Sequence, residues 1–335
     1  MKKTIWIFVL FFYTAALTAQ TNYPSIGKVV RNDARLDALL PTTAKIEVLA
    51  SGFVWSEGPA WVKEGGYLLF SDVPQNTVYK WSEKDGLSTF LKPSGYSGAG
   101  GYSNEQGSNG LIINRQGQLV SCEHGDRRVS LMSLTGGGKR TLADNFEGKR
   151  LNSPNDVVQH SSGAYYFTDP PYGLPKQEKD PTRETNWFGV YRIGTDGTVA
   201  LLTKDMTRPN GIAFSPDEKT LYVAQSDPDK AVIMAFTVLP NGLVDKGRVF
   251  FDATPMAKQG LRGLPDGLRV DKSGNLWATG PGGVLVLAPD ATLLGRIDAG
   301  EATANCAWGD DGSTLYLTAD MYLCRIKTNT KGAGW

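Results

Sequence analysis

Ser153-Pro154-Asn155-Asp156, followed by Tyr165-Tyr166-Phe167-Thr168-Asp169-Pro170-Pro171-Tyr172-Gly173, reads as turn, short strand, turn, short strand. Related stretches recur along the chain. Ser-Glu-Gly-Pro-Ala-Trp begins at Ser56, Ser-Asn-Gly-Leu-Ile-Ile at Ser108 and Arg-Pro-Asn-Gly-Ile-Ala-Phe at Arg208. Leu-Pro-Asp-Gly-Leu-Arg-Val begins at Leu264 and Thr-Ala-Asn-Cys-Ala-Trp at Thr303. In each, one polar residue enters an apolar run: Glu57, Asn109, Asn155, Asn210, Asp266 and Asn305. Successive positions differ by 52, 46, 55, 56 and 39 residues, so the chain reads as six copies of one unit.

The second copy shows the unit best. Asn109–Asn114, Leu119–Glu123, Val129–Leu134 and Arg140–Ala143 read as four strands joined by turns. Many short strands with turn signals point to an all-β fold, and blades of about 40–50 residues with four strands are the mark of a propeller. The expectation is a six-bladed β-propeller of four-stranded antiparallel blades. The last copy runs short of strands, so Lys45–Ala50 is expected to supply its outer strand and close the ring.

The ends and the composition narrow the class. Met1-Lys2-Lys3, an apolar run from Ile5 to Leu17, and Thr18-Ala19-Gln20 have the order of a secretory signal peptide. The expected division is therefore 1–19 signal peptide, 20–44 leader and 45–335 propeller, with a periplasmic or secreted location. Within the leader, Asn32–Leu40 reads as one or two helical turns. The net charge of +1 gives no reason to expect nucleic acid or an anionic membrane as partner, and no membrane attachment is expected after signal cleavage. A monomer or weak homodimer is expected. Cys122, Cys306 and Cys324 each sit in a strand-like run and read as buried thiols, with Cys306–Cys324 the more plausible pair if one forms.

In a propeller the innermost strands line a central channel, so the six polar starters should converge at one mouth. A second ring should come from the ends of the next strands: Asp72, Glu123 or His124, Asp169, Ser226, Gly280 and Asp320. The starters offer only oxygen and amide groups, which suits a hard cation such as calcium better than zinc. Magnesium, manganese and zinc stay open as alternatives. For one Asn-Gly step a turn-forming role is the plainer reading, but six equivalent positions favour a site. A cation there would act as a Lewis acid, with Asp266 as the base that activates water and Glu57 as a ligand only. His124 is expected at the same mouth, as a base, a substrate contact or a hydrogen-bonding support. Asn109, Arg127 and Tyr172 are candidate substrate contacts. Tyr96, Tyr102 and Trp187, on the loops Pro93–Gly107 and Pro170–Trp187, either stack on a sugar ring or pack those loops.

These motifs together resemble the SMP-30/gluconolactonase family, which includes regucalcin; the resemblance runs from about Phe53 to the C-terminus. It implies a six-bladed, calcium-binding lactone hydrolase, with Glu57, Asn155 or Asn210, and Asp266 at the metal and Asp266 also as base. The more distant paraoxonases, with a Glu, two Asn and Asp set, would enlist both asparagines. They carry a histidine where this chain has His124, but Asn109 replaces its neighbouring histidine, which favours Asp266 over a histidine relay. The substrate class implied is a small lactone, with a sugar lactone such as gluconolactone as first choice. Two alternatives use the same site: an aryl-ester or phosphotriester hydrolase, or a non-catalytic, calcium-stabilised binding propeller.

Overall fold

The computed structural model describes residues 22–335; the signal-peptide reading of 1–19 lies outside the described residues. Six antiparallel sheets stand around one axis. Blade 1 runs outward through Ser56–Val62, Tyr67–Asp72, Thr77–Ser82 and Gly86–Leu91. Blade 2 runs through Ser108–Ile113, Gln118–Glu123, Arg128–Ser133 and Arg140–Ala143, each within one residue at either end of the strand read from the sequence. The inner strands of blades 3 to 6 are Val157–Gln159, Pro209–Phe214, Leu268–Val270 and Thr303–Gly309. The inner strand of blade 6 packs on that of blade 1, completing the circle. Among the described residues no helix is long and apolar enough to cross a membrane.

The fourth strand of blade 6 is Ile46–Ser51, paired with Tyr322–Lys327 in the register Tyr322↔Ser51 and Arg325↔Glu47. The leader is more deeply built in than its sequence suggests. Ser25–Ile26 adds a fifth strand to blade 6, and Lys28–Arg31 adds a fifth to blade 5. Between them and the blades, one turn of helix, Leu36–Leu39, inserts Leu36 into the core. Leu36 and Leu40 are fully buried among Trp277, Val286, Ile297 and Trp308. The three cysteines are buried free thiols. Cys306 and Cys324 both face Leu317 from opposite sides, so a whole strand separates them. Two strand spacings, about 9.5 Å, exceed the reach of a disulfide.

Four of the six inner strands share one irregularity at the mouth. Pairing with the second strand slips between Glu57 and Ala60, Ser108 and Leu111, Pro209 and Ile212, and Thr303 and Asn305. These bulges fall at the polar starters, and a bulge re-aims a side chain that a regular ladder would fix to one face of the sheet. The freed backbone bonds sideways instead: Gly110 N donates to Asn155 O at 2.7 Å and Gly267 N to Ala304 O at 2.8 Å. Blades meet so closely here that a Cβ on Gly58 would stand 2.0 Å from Asn109 O, and one on Gly211 2.1 Å from Asp266 O.

Leu36→Ala is expected to destabilise the protein by about 2–5 kcal/mol, the cost of a large-to-small change in a closed core. Urea unfolding at neutral pH reads it directly. A loss under about 1 kcal/mol would mean that the leader is an appendage and not a part of the core.

Candidate active site at the channel mouth

A cavity of about 380 Å³ opens at the mouth where the bulges lie. Glu57, Asn109, Asn155, Asn210 and Asp266 line it, so five of the six polar starters converge. The sixth, Asn305, stands behind: its Nδ2 donates to Glu57 Oε2 at 3.1 Å, and Gly58 N donates to the same oxygen at 2.6 Å. The four asparagines and Glu57 are almost wholly buried, and Asp266 is half-buried.

Hydrogen bonds behind the cavity decide which way the amides face. Asn210 Nδ2 donates to Ser226 Oγ at 2.8 Å, and that hydroxyl donates to Pro265 O at 2.6 Å. Asn155 Nδ2 lies 3.5 Å from His124 Nε2, while His124 Nδ1 lies 3.1 Å from Glu105 O. A carbonyl only accepts, so Nδ1 carries the proton and Nε2 accepts from the asparagine. With the nitrogens held outward, the oxygens are left over. Asn109 Oδ1, Asn155 Oδ1, Asn210 Oδ1 and Asp266 Oδ1 are buried without a hydrogen-bond partner among the described residues. Buried acceptors left bare cost free energy, and a native site tolerates several together where something fills them.

The carboxylates point the same way. Burial pushes Glu57 up to about 8. Burial, with Glu57 and Asp156 nearby, pushes Asp266 well above the usual carboxylate range. Without a counter-charge such a pair holds protons at neutral pH; a bound cation would restore the charged form. Two carboxylates and three inward amide oxygens fit a hard divalent cation bound by Glu57, Asn155, Asn210 and Asp266, with Asn109 beside them. No cluster of three or more His, Cys, Asp or Glu of the kind that binds zinc occurs among the described residues.

Other expectations need correction. Of the three roles left open for His124, its contacts fit the hydrogen-bonding support: it is fully buried and absent from the cavity wall, burial lowers it to about 4, and its Nε2 faces Asn155. Arg127 is no substrate contact. Its guanidinium is turned away and donates to Leu151 O (2.7 Å), Asn152 O (2.9 Å) and Thr182 O (3.2 Å), tying the blade 2–3 crossing to the long loop. Of the aromatic candidates only Tyr172 lines the cavity. Tyr96 and Tyr102 stack on each other at 5.1 Å, and Trp187 Nε1 donates to Tyr191 OH. The second ring is mostly bracing: Asp72 accepts from Val54 N, Asp169 from Asn152 N, and Glu123 from Arg128, Lys139 and Ser130. Only Ser226 of that ring lines the cavity.

Sequence reasoning missed Trp55, Glu105, Arg208 and Leu264, which complete the wall. Trp55, Arg208 and Leu264 flank polar starters already singled out, so proximity in sequence was an available signal. Glu105 lies four residues before Asn109, within the loop Pro93–Gly107 already marked, where only the aromatic residues were singled out.

Comparison with known proteins places the chain in a family. A model of the SMP-30/gluconolactonase/LRE-like region matches residues 55–320. The chain is 42% identical over 322 residues to a gluconolactonase of Zymomonas mobilis, covering 93% of this chain and 89% of the relative. It is 25% identical over 271 residues to a pentonolactonase of Haloferax volcanii, covering 78% and 80%. Among solved structures, a gluconolactonase from Xanthomonas campestris superposes with a TM-score of 0.79 at 31% identity, over 93% of this chain and 99% of that one. The chain therefore belongs to the SMP-30/gluconolactonase/LRE-like family.

Proposed function

We propose that the protein is a lactonase that opens sugar lactones with the help of a divalent cation, calcium by preference, held by Glu57, Asn155, Asn210 and Asp266. The observation that carries this reading is the set of inward, unpartnered oxygens of Asn109, Asn155, Asn210 and Asp266 in a single cavity. The gluconolactonase and pentonolactonase relatives support the substrate class. When bound, the cation supplies polarisation of the lactone carbonyl and charge for the developing oxyanion.

The chain's own groups do the rest. Asp266, half-buried with one free oxygen, accepts a proton from the attacking water. Tyr172 and Arg208 present polar hydrogens to the hydroxyls of a sugar ring, and Asn109 presents an oxygen. Trp55 and Leu264 supply the apolar wall on which the ring's C–H face rests. Arg208 is steadied by Glu178, whose Oε1 accepts from its Nε at 2.8 Å. We also read the Lys2-Lys3 and Ile5–Leu17 pattern as an export signal, placing the reaction outside the cytoplasm.

Proton release from a panel of aldonolactones, aryl esters and phosphotriesters tests the activity. Hydrolysis is expected on aldonolactones, lost with EDTA and restored by calcium, and lowered about 10²–10⁴-fold in Asp266→Ala. Calcium binding without turnover on any of the three classes would leave a binding propeller instead.

Asn305→Ala is expected to weaken calcium binding about 10–100-fold, because Glu57 loses the amide that orients it. Calorimetry measures this without reference to turnover.

The raised carboxylates set the pH behaviour. Glu57 moves from 4.5 to about 8, so the metal-free folded protein holds more protons than the unfolded chain between those values. Stability in EDTA is then expected to fall as pH rises from about 4.5 through 8. Calcium binding near pH 7 should release protons, seen as a dependence of the calorimetric heat on the buffer's ionisation enthalpy. A flat thermal midpoint across this window, with no proton release, would contradict the raised pair.

A further inference from the structure

Opening a lactone requires two proton movements, one from the attacking water and one to the departing ring oxygen. Glu57 and Asp266 belong to the cation set, and Glu57 Oε2 is further held by Gly58 N and Asn305 Nδ2. A third carboxylate faces the same cavity. Glu105 lies on the loop before blade 2 and lines the wall with Asn109, Asn155 and Tyr172. Its backbone oxygen is fixed by His124 Nδ1 at 3.1 Å, and its Oε2 lies 3.8 Å from that same nitrogen. Glu105 and Tyr172 also border a second hollow of about 480 Å³, whose far wall is the segment Leu174–Lys179. The carboxyl therefore stands at the partition between the site and a neighbouring vestibule. One-third of its side chain is exposed, so it exchanges protons with solvent.

Resting on the lactonase reading above, we infer that Glu105 is the general acid of the reaction, delivering its proton to the ring oxygen as the acyl C–O bond breaks. The water oxygen bonds to the carbonyl carbon, one water proton passes to Asp266, and the carbonyl π pair moves to its oxygen. As that pair returns, the bond to the ring oxygen breaks and Glu105 protonates that oxygen, which leaves as a hydroxyl. Asp266 then gives its proton to solvent and Glu105 regains one through the vestibule. The sum is lactone plus water giving hydroxy acid.

The surroundings suit that role. Burial pushes Glu105 up to about 7 in the metal-free protein, the direction that favours the protonated carboxyl an acid needs. The ionisable groups facing it are His124, Tyr172, Glu57 and Asp266, with Arg208 across the cavity and Lys176, Glu178 and Lys179 across the vestibule. Tyr172 is the rival donor, but burial raises its phenol above the ordinary range, leaving it a hydrogen-bond donor.

The test compares Glu105→Gln with wild type, both calcium-loaded, on glucono-δ-lactone and on dihydrocoumarin, with uncatalysed rates subtracted. The first expels an alkoxide; the second expels a phenolate whose conjugate acid has a pKa of about 10 and needs little help. The expected result is a kcat loss of about 100-fold on gluconolactone and under about 5-fold on dihydrocoumarin, consistent with lost general-acid catalysis. The wild-type decline of kcat on gluconolactone as pH rises through the Glu105 pKa should vanish in the variant. Calcium affinity by calorimetry should stay within about threefold, and Glu105→Asp should recover part of the rate. Equal losses on both lactones, an unchanged gluconolactone rate, or lost calcium affinity would each overturn the assignment while leaving the lactonase reading intact. A wild type inactive on every lactone would overturn both.

Discussion

The mouth of this propeller depends on close approach of the blades at the start of the inner strands, four of which slip out of register there. In a regular ladder a side chain points to one face of its blade or the other, toward a neighbouring blade. At the bulges of blades 1, 2 and 4 the chain turns further and Glu57, Asn109 and Asn210 reach the cavity, while at that of blade 6 Asn305 stands behind Glu57. The turn works only if blades approach within backbone contact. That is why glycine follows Glu57 and Asn210: any Cβ at Gly58 or Gly211 would lie about 2 Å from the next blade's carbonyl. Close approach also satisfies the backbone groups that the bulges release. Ser71 Oγ donates to Asn109 O, Thr168 Oγ1 to Asn210 O, and Thr279 Oγ1 to Ala304 O, each across a blade boundary. The functional ring and the packing of the propeller are therefore one arrangement.

Behind that ring, a second layer decides chemistry by deciding orientation. An asparagine offers a donor end and an acceptor end, and only the acceptor suits a cation. Ser226, His124 and their carbonyl partners claim the donor ends of Asn210 and Asn155, so the oxygens face inward. Asn305 plays the reverse part, donating its amide to Glu57. His124 illustrates how a chemically versatile residue is made single-purpose. Burial and two fixed partners keep it neutral, in one tautomer and away from the cavity.

What was legible in the sequence follows from period and chirality. Six polar starters at near-regular spacing, each entering an apolar run, suffice to infer blades, and propeller geometry then brings the starters together. Loops and termini obey no such period. Leu36 and Leu40 read as a leader, because nothing local says that blades 5 and 6 leave a gap for them. Arg127 read as a substrate contact, whereas its left-handed backbone (φ 58°) swings the guanidinium under the rim to three carbonyls. Within the marked loop Pro93–Gly107 nothing singled out Glu105, because its place in the cavity comes from that loop's anchor on His124, a contact between residues 19 apart.

The electrostatics beneath the site fit the proposed cation. Glu57, Asp156 and Asp266 are each raised chiefly by burial, and Asp156 adds to the raising of the other two. Of the three, Asp156 has a permanent counter-charge: Arg269 Nη1 lies 3.7 Å from its Oδ2, and Val157 N donates to its Oδ1. Arg269 comes up from the opposite mouth, where its side chain borders the hollow beside Trp308 and Trp335. The fixed guanidinium thus answers the deepest carboxylate, leaving the pair above it without a resident partner. A buried carboxylate pair persists either by sharing protons or by binding positive charge. Because Asp266 keeps one oxygen bare and three amide oxygens are turned to the same cavity, protons alone leave acceptors unsatisfied there. A divalent cation answers both the charge and the empty lone pairs, which a proton on either carboxyl cannot do.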